Sequence, residues 1–206
     1  MSRRVVVALL GPVTWTPPGI EPARWRTALA EDVVDLLVTL NEVETAVAVA
    51  ARDRWLADAV VWPGTPVYEV PEPTPNAVFA TLAAAGPEAF YDQVAVVAAD
   101  APDVPGLTLG KLLRPLTTRP VAVAPVEGGG TGLLGVAARL PVPAWLPALD
   151  LDTTAPAEVR RAAPSPGDVA VTAGWRRMRG PADLAALDPA VEGWEATRAL
   201  LSGRPV

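Results

Sequence analysis

The chain has no cysteine and no histidine among its 206 residues. That removes disulfides, thiol nucleophiles, Cys- or His-based metal sites and any Ser-His-Asp triad. Any chemistry must come from carboxylates, hydroxyls, arginines and backbone amides. A bound metal would be a hard cation held by oxygen, magnesium or manganese before zinc. Lysine is nearly absent too: Lys111 is the only one, and arginine supplies the rest of the positive charge. Charge of that sign is in the minority, with 17 Lys+Arg against 23 Asp+Glu and a net charge of -6. A nucleic-acid partner needs a field of the opposite sign, so none is expected. No apolar stretch approaches the ~20 residues of a membrane span. The apolar run 5–10 is shorter than the ~7–15-residue core of a secretion signal, Gly11-Pro12 ends it, and no small-residue cleavage site follows. The expectation is a cytoplasmic protein with no membrane partner.

Half of the residues are hydrophobic and 19% are charged, a globular composition. The length predicts one domain over residues 1–206, its last part (from about 176) forming a C-terminal helical extension. The organising stretch is 94–135. An apolar run, 94–99, stops at Asp100; a Pro-broken turn through Asp103, Pro105 and Gly106 leads to a short helix. A second apolar run, 121–124, precedes the tract Gly128-Gly129-Gly130. Continuous apolar runs separated by a helix read as parallel strands buried on both faces.

Elsewhere the pattern alternates in the same way. Residues 5–10 read as a central strand, 22–40 as a helix with Pro22 in its first turn, and 46–50 as a second buried strand. A short helix over 52–59, a strand over 67–70, and a helix over 76–85 capped by Thr74 follow. After a strand ending near Leu140, Asp150-Leu151-Asp152-Thr153 leads into a helix, with Asp152 or Thr153 as its cap. A strand over 169–172 and helices over 181–187 and 191–201 complete the reading. The class is α/β, three layers around a mostly parallel central sheet.

In open α/β sheets ligands bind beyond the carboxyl ends of the strands. Asp100 and the glycine tract fall there, as does the loop 11–19 after the first strand. We therefore expect a phosphate-bearing ligand, with Asp100 and Asp152 gripping a divalent cation, magnesium or manganese, whose shell substrate phosphate and water complete. Asp103 reads as a turn residue. Gly11 opens the loop nearest the ligand, and Trp15 within it is a candidate for stacking on a base. Gly128, Gly129 and Gly130 let backbone approach a ligand closely and offer amide donors. The loop 11–19 carries neither a GxGxxG nor a GxxxxGK[ST] pattern.

The order Ala99-Asp100-Ala101-Pro102-Asp103-Val104-Pro105, then Ala124-Pro125, a glycine tract leading to Leu133-Leu134-Gly135, then Asp150-Leu151-Asp152-Thr153, resembles the small nucleotide-diphospho-sugar-transferase-like proteins. The radical-SAM- and selenodomain-associated glycosyltransferases are the most similar group. Phospholactate guanylyltransferase and the nucleotidyltransferase of molybdenum-cofactor maturation are more distant. The resemblance spans roughly residues 5–160. It implies a Rossmann-like glycosyltransferase-A fold, a nucleotide or nucleotide sugar at the carboxyl edge of the sheet, and a divalent metal on Asp100. The segment 150–153 matches the family's Asp-x-Asp-Thr. Two motifs depart from the family. Its basic Gly-x-x-Lys-Thr-Arg loop corresponds here to 11–19, which has no basic residue, Arg24 and Arg26 arriving only in the following helix. Its Asp-Gly-Gly-Tyr corresponds to Glu127-Gly128-Gly129-Gly130-Thr131, which lacks the tyrosine. Two functions follow as expectations. One is a metal-dependent nucleotidyl- or glycosyltransferase. The alternative is a divergent, non-catalytic nucleotide- or partner-binding module that kept the fold.

Overall fold

The computed structural model describes residues 2–85, 90–128 and 131–203. Seven strands form one sheet in the order β3-β2-β1-β4-β6-β5-β7. They are β1 (Arg4–Leu9), β2 (Glu44–Ala50), β3 (Val67–Val70), β4 (Gln93–Ala98), β5 (Val121–Pro125), β6 (Leu133–Arg139) and β7 (Val169–Val171). All pairings are parallel except those of β6, which runs antiparallel to both β4 and β5. The reversal costs nothing in side-chain terms: Leu133 to Ala138 are buried in either direction, so an apolar run carries no record of its sense.

The helices are α1 (Pro22–Val38), α2 (Arg54–Val60), α3 (Pro75–Ala84), α4 (Gly106–Leu113), α5 (Pro156–Ala162), α6 (Pro181–Ala185) and α7 (Glu195–Leu201). β1 shows how the layers are built. Val6, Ala8 and Leu10 pack with residues of α1, α2 and α4 on one face. Val5, Val7 and Leu9 pack with residues of α3 and α5 on the other. This is the expected three-layer arrangement. No helix among the described residues is long and apolar enough to cross a membrane.

A third cluster lies off the end of the sheet. It joins Trp25, Ala28 and Leu29 of α1 to Met178, Leu187, Trp194, Ala196 and Leu200, with Val13, Trp15 and Ile20 packed against it. Asp32, buried within α1, anchors the junction: its Oδ1 and Oδ2 accept from the amides of Ala196 and Thr197, each at 2.9 Å. Burial pushes the Asp32 carboxyl up to about 6, against the hydrogen bonds from Thr197 and Ala196 that favour its charge.

Local caps follow the sequence with one exception. Pro22 opens α1, whose N-cap Glu21 accepts from Ala23 N (3.0 Å) and Arg24 N (2.9 Å). Thr74 Oγ1 accepts from Ala77 N at 3.3 Å and caps α3. The exception is α5, which starts at Pro156 with Ala155 before it. Neither Asp152 nor Thr153 caps that helix. Glu158 Oε2 instead accepts from Ala155 N at 3.1 Å, one turn in from the end.

Candidate functional site

β1 ends at Leu9 and β4 at Ala98, adjacent parallel strands from which the chain leaves in opposite directions along the sheet, from β1 to β2 on one side and from β4 toward β5 on the other. Such a switch point leaves a crevice past the strand ends. A cleft of about 300 Å³ occupies it, lined by Gly11, Arg26, Arg52, Asp100, Asp152 and Arg177 among others. Gly11, Asp100 and Asp152, singled out from sequence, thus come to one place. Trp15 and Gly128 do not join them. Trp15 stands edge-on to Trp25, ring centroids 6.2 Å apart, and its carbonyl accepts from Trp25 Nε1 at 3.0 Å. Burial against the third cluster holds it there, and it is not among the residues lining the cleft. Gly128 is exposed, with φ +100, and also stands outside the lining. Its left-handed backbone suits a turn leaving β5. Gly129 and Gly130 lie outside the described residues.

Asp100 is 3% exposed, and both its oxygens are taken. Arg177 Nε donates to Oδ1 at 2.5 Å and Nη2 to Oδ2 at 2.9 Å, the bidentate fork that a guanidinium offers a carboxylate. The same Nη2 lies 2.8 Å from Asp152 Oδ1. Nη1 donates to the carbonyls of Leu151 (2.8 Å) and Leu133 (3.3 Å). A guanidinium has five N–H bonds; four of them are spent in these hydrogen bonds to Asp100, Leu133 and Leu151, and the ion pair with Asp152 adds a further contact. Burial pulls the Arg177 guanidinium down, but Asp100 and Asp152 outweigh it and leave it above its ordinary value. Arg179 adds a second cation to Asp152, with Nη2 3.3 Å from Oδ1. Burial and then its neighbour Arg177 lower Arg179.

The cations arrive on one segment. Trp175 bridges to Val126 in parallel sense, and Met178 N donates to the Asp100 carbonyl at 2.8 Å. Asp103 is no free turn residue: it is 7% exposed, accepts from Trp175 Nε1 at 3.0 Å and is ion-paired with Arg176. Asp100 and Asp103, three positions apart, therefore each hold an arginine of the run 175–179. Asp150 shapes the opposite wall, its Oδ1 accepting from Asp152 N at 2.6 Å, while Leu133 N donates to Leu151 O at 2.8 Å and ties this turn to β6.

These residues do not fit a divalent cation as they stand. Both oxygens of Asp100 are spent on Arg177, Asp152 Oδ1 is shared by two guanidiniums, and no group of three or more acids suited to a metal occurs among the described residues. Asp100 and Asp152, expected to grip a cation, both contact the guanidinium of Arg177 instead.

On the other wall, Arg26 Nη1 donates to Asp53 Oδ1 (3.0 Å) and Nη2 to the Gly11 carbonyl (3.2 Å). Arg52 reaches Asp53 Oδ2 only at 3.6 Å, its side chain 68% exposed. These two supply the positive charge that the 11–19 loop lacks. One turn of helix carries Arg26 back over Gly11, and the 3-10 turn after β2 presents Arg52.

No family model matches the chain, and no curated protein does either. Solved structures match along its whole length. A protein described as a nucleotide-diphospho-sugar transferase from Desulfovibrio desulfuricans has a TM-score of 0.58 at 16% identity, covering 100% of both chains. The 4-diphosphocytidyl-2C-methyl-D-erythritol synthase of Anaerococcus prevotii gives 0.59 at 11% identity, covering 97% of this chain and 96% of its own. Rv0371c of Mycobacterium tuberculosis, solved as a manganese complex, gives 0.53 at 14% identity over 93% of this chain and all of its own. The chain therefore has the α/β fold of nucleotide-diphospho-sugar transferases and nucleotidyltransferases. That is the group the Asp100 and Asp152 motifs resemble.

Proposed function

We propose that this chain binds a nucleotide or a nucleotide sugar in the cleft past β1 and β4, as a nucleotidyl- or glycosyltransferase-type protein. The observation that carries the reading is the placement of Arg26 and Arg52 beside Gly11, at the strand end where this fold opens its crevice. A diphosphate there meets two arginines on one wall. Arg52, with a single long ion pair, is the side chain most available to it. Guanidiniums aimed at the phosphates neutralise charge that builds on a departing pyrophosphate or nucleoside diphosphate.

A second reading, binding without turnover, is favoured by Asp100. A carboxylate with both oxygens held by a buried arginine has neither oxygen free to hold a metal or to touch a substrate.

A thermal-shift panel of nucleotides and nucleotide sugars tests the binding. A ligand at 100 times its dissociation constant adds about 2.7 kcal/mol. No shift across the panel would sink both readings. A shift accompanied by release of pyrophosphate or nucleoside diphosphate selects the transferase, and a shift without release selects the binding module.

A further inference from the structure

We propose that Arg177 is the resident cation of this site, standing between Asp100 and Asp152 in place of a divalent ion, so that the cleft takes its ligand without a metal. The geometry carries the first half. One guanidinium is hydrogen-bonded to both oxygens of Asp100 and lies 2.8 Å from Asp152 Oδ1. Two further donors end on the carbonyls of Leu133 and Leu151, which fix the plane of the fork. A divalent ion entering beside it would find Asp100 spoken for and would face the charge of Arg177 and Arg179 together. Arginine stays protonated at any working pH, so the position cannot be vacated by titration. Vacating it requires the segment around Trp175 to leave, against the Met178–Asp100 and Trp175–Asp103 hydrogen bonds and the buried side chain of Met178.

The second half, metal-free ligand binding, rests on the nucleotide reading above. With Arg177 engaged by two carboxylates and two carbonyls, its role toward a ligand is to cancel the charge of the carboxylates. Phosphate oxygens are left to Arg52 and Arg26 across the cleft.

Manganese alone separates the two halves, because its binding is read from the loss of the free-ion paramagnetic resonance signal with no nucleotide present. The intact chain is expected to leave that signal unchanged up to about 1 mM, weaker than any dedicated oxygen site for the ion. Arg177→Ala frees both oxygens of Asp100 and one partner of Asp152 and is expected to bind the ion at least tenfold more tightly through this pair, with water completing the shell. Wild-type binding below about 100 µM that Asp152→Asn removes would overturn the proposal. So would a folded Arg177→Ala that ignores manganese. Should Arg177→Ala unfold, refolding it in manganese and in EDTA is the second measurement: a cooperative transition in manganese alone supports the proposal, and none in either overturns it. For any nucleotide that binds, affinity in EDTA is expected to stay within twofold of that in manganese. A tenfold loss in EDTA would overturn the second half. Absence of nucleotide binding counts against the functional reading and leaves the manganese result standing.

Discussion

Arg177 holds Asp100 by both carboxylate oxygens, at 2.5 and 2.9 Å, across 77 residues of sequence. The pair is buried at both ends, with side chains 5% and 4% exposed. An aspartate dedicated to a metal can be removed with little cost to the fold; removal of this one is expected to cost stability. Asp100→Ala strands a buried guanidinium, and breaking such a pair costs about 3–5 kcal/mol. Denaturant unfolding should register that loss with or without nucleotide. A stability within 1 kcal/mol of wild type would show that the pair is dispensable.

The cleft's ligand contacts are assigned to Arg52 rather than to Trp15. Arg52→Ala removes an exposed side chain with one 3.6 Å ion pair, so its stability cost should stay below about 1 kcal/mol. Nucleotide affinity should fall about tenfold, or 1.4 kcal/mol. Trp15→Leu should do the reverse: affinity unchanged, and about 1 kcal/mol of stability lost with the edge-to-face pair on Trp25. Titration calorimetry on the two variants separates the roles, and loss of nucleotide binding in Trp15→Leu would return that ring to the ligand.

Gly174 has no room for a side chain. A Cβ there would meet the Pro125 carbonyl oxygen at 2.0 Å, and the amide of Trp175 donates to that same oxygen at 3.3 Å. Gly174→Ala must push the two backbones apart just where the arginine segment joins the sheet. It is expected to raise proteolysis and amide exchange over residues 175–179 and to open the Asp100 site to manganese. An exchange profile matching wild type would argue that the segment is held from its far end alone.

Asp32 sets a pH dependence with a defined sign. Its folded value, about 6, lies above the ordinary 3.8, so the folded protein keeps a proton that the unfolded chain has released between those two values. The stability this contributes is complete below pH 4 and is lost as pH rises through 6. The difference is on the order of 3 kcal/mol. Asp32→Asn cannot titrate and should flatten the fall between pH 4 and 6 relative to wild type. Parallel curves for the two proteins would refute the assignment.

The strands were readable because apolar runs such as 5–10 and 94–99 are buried on both faces and are each broken by a residue that interrupts the run, Gly11-Pro12 after the first and Asp100 after the second. The reversed direction of β6 was not, since burial on both faces looks the same from either end. Asp100 was found by its position after a strand. Its partner was missed because nothing local links residue 177 to residue 100. The signal was nevertheless present: three arginines with Trp175 and Met178, bracketed by Gly174 and Gly180, in a chain otherwise short of clustered positive charge. Solvated basic runs rarely enclose a tryptophan and a methionine, and Met178 is in fact fully buried. Asp152 was placed on a helix cap because aspartate favours that position. Two arginines meet its Oδ1 instead.

Arg177 follows both of its carboxylates in the chain, and this orders events during synthesis. Asp100 leaves the ribosome 77 residues ahead of its partner, an interval of roughly 4–15 s at cellular elongation rates. Through that interval the sheet from β1 to β6 can assemble with its two aspartates uncompensated. Both carboxylates stay solvated until the arginine segment follows, and the late-made segment is what covers them.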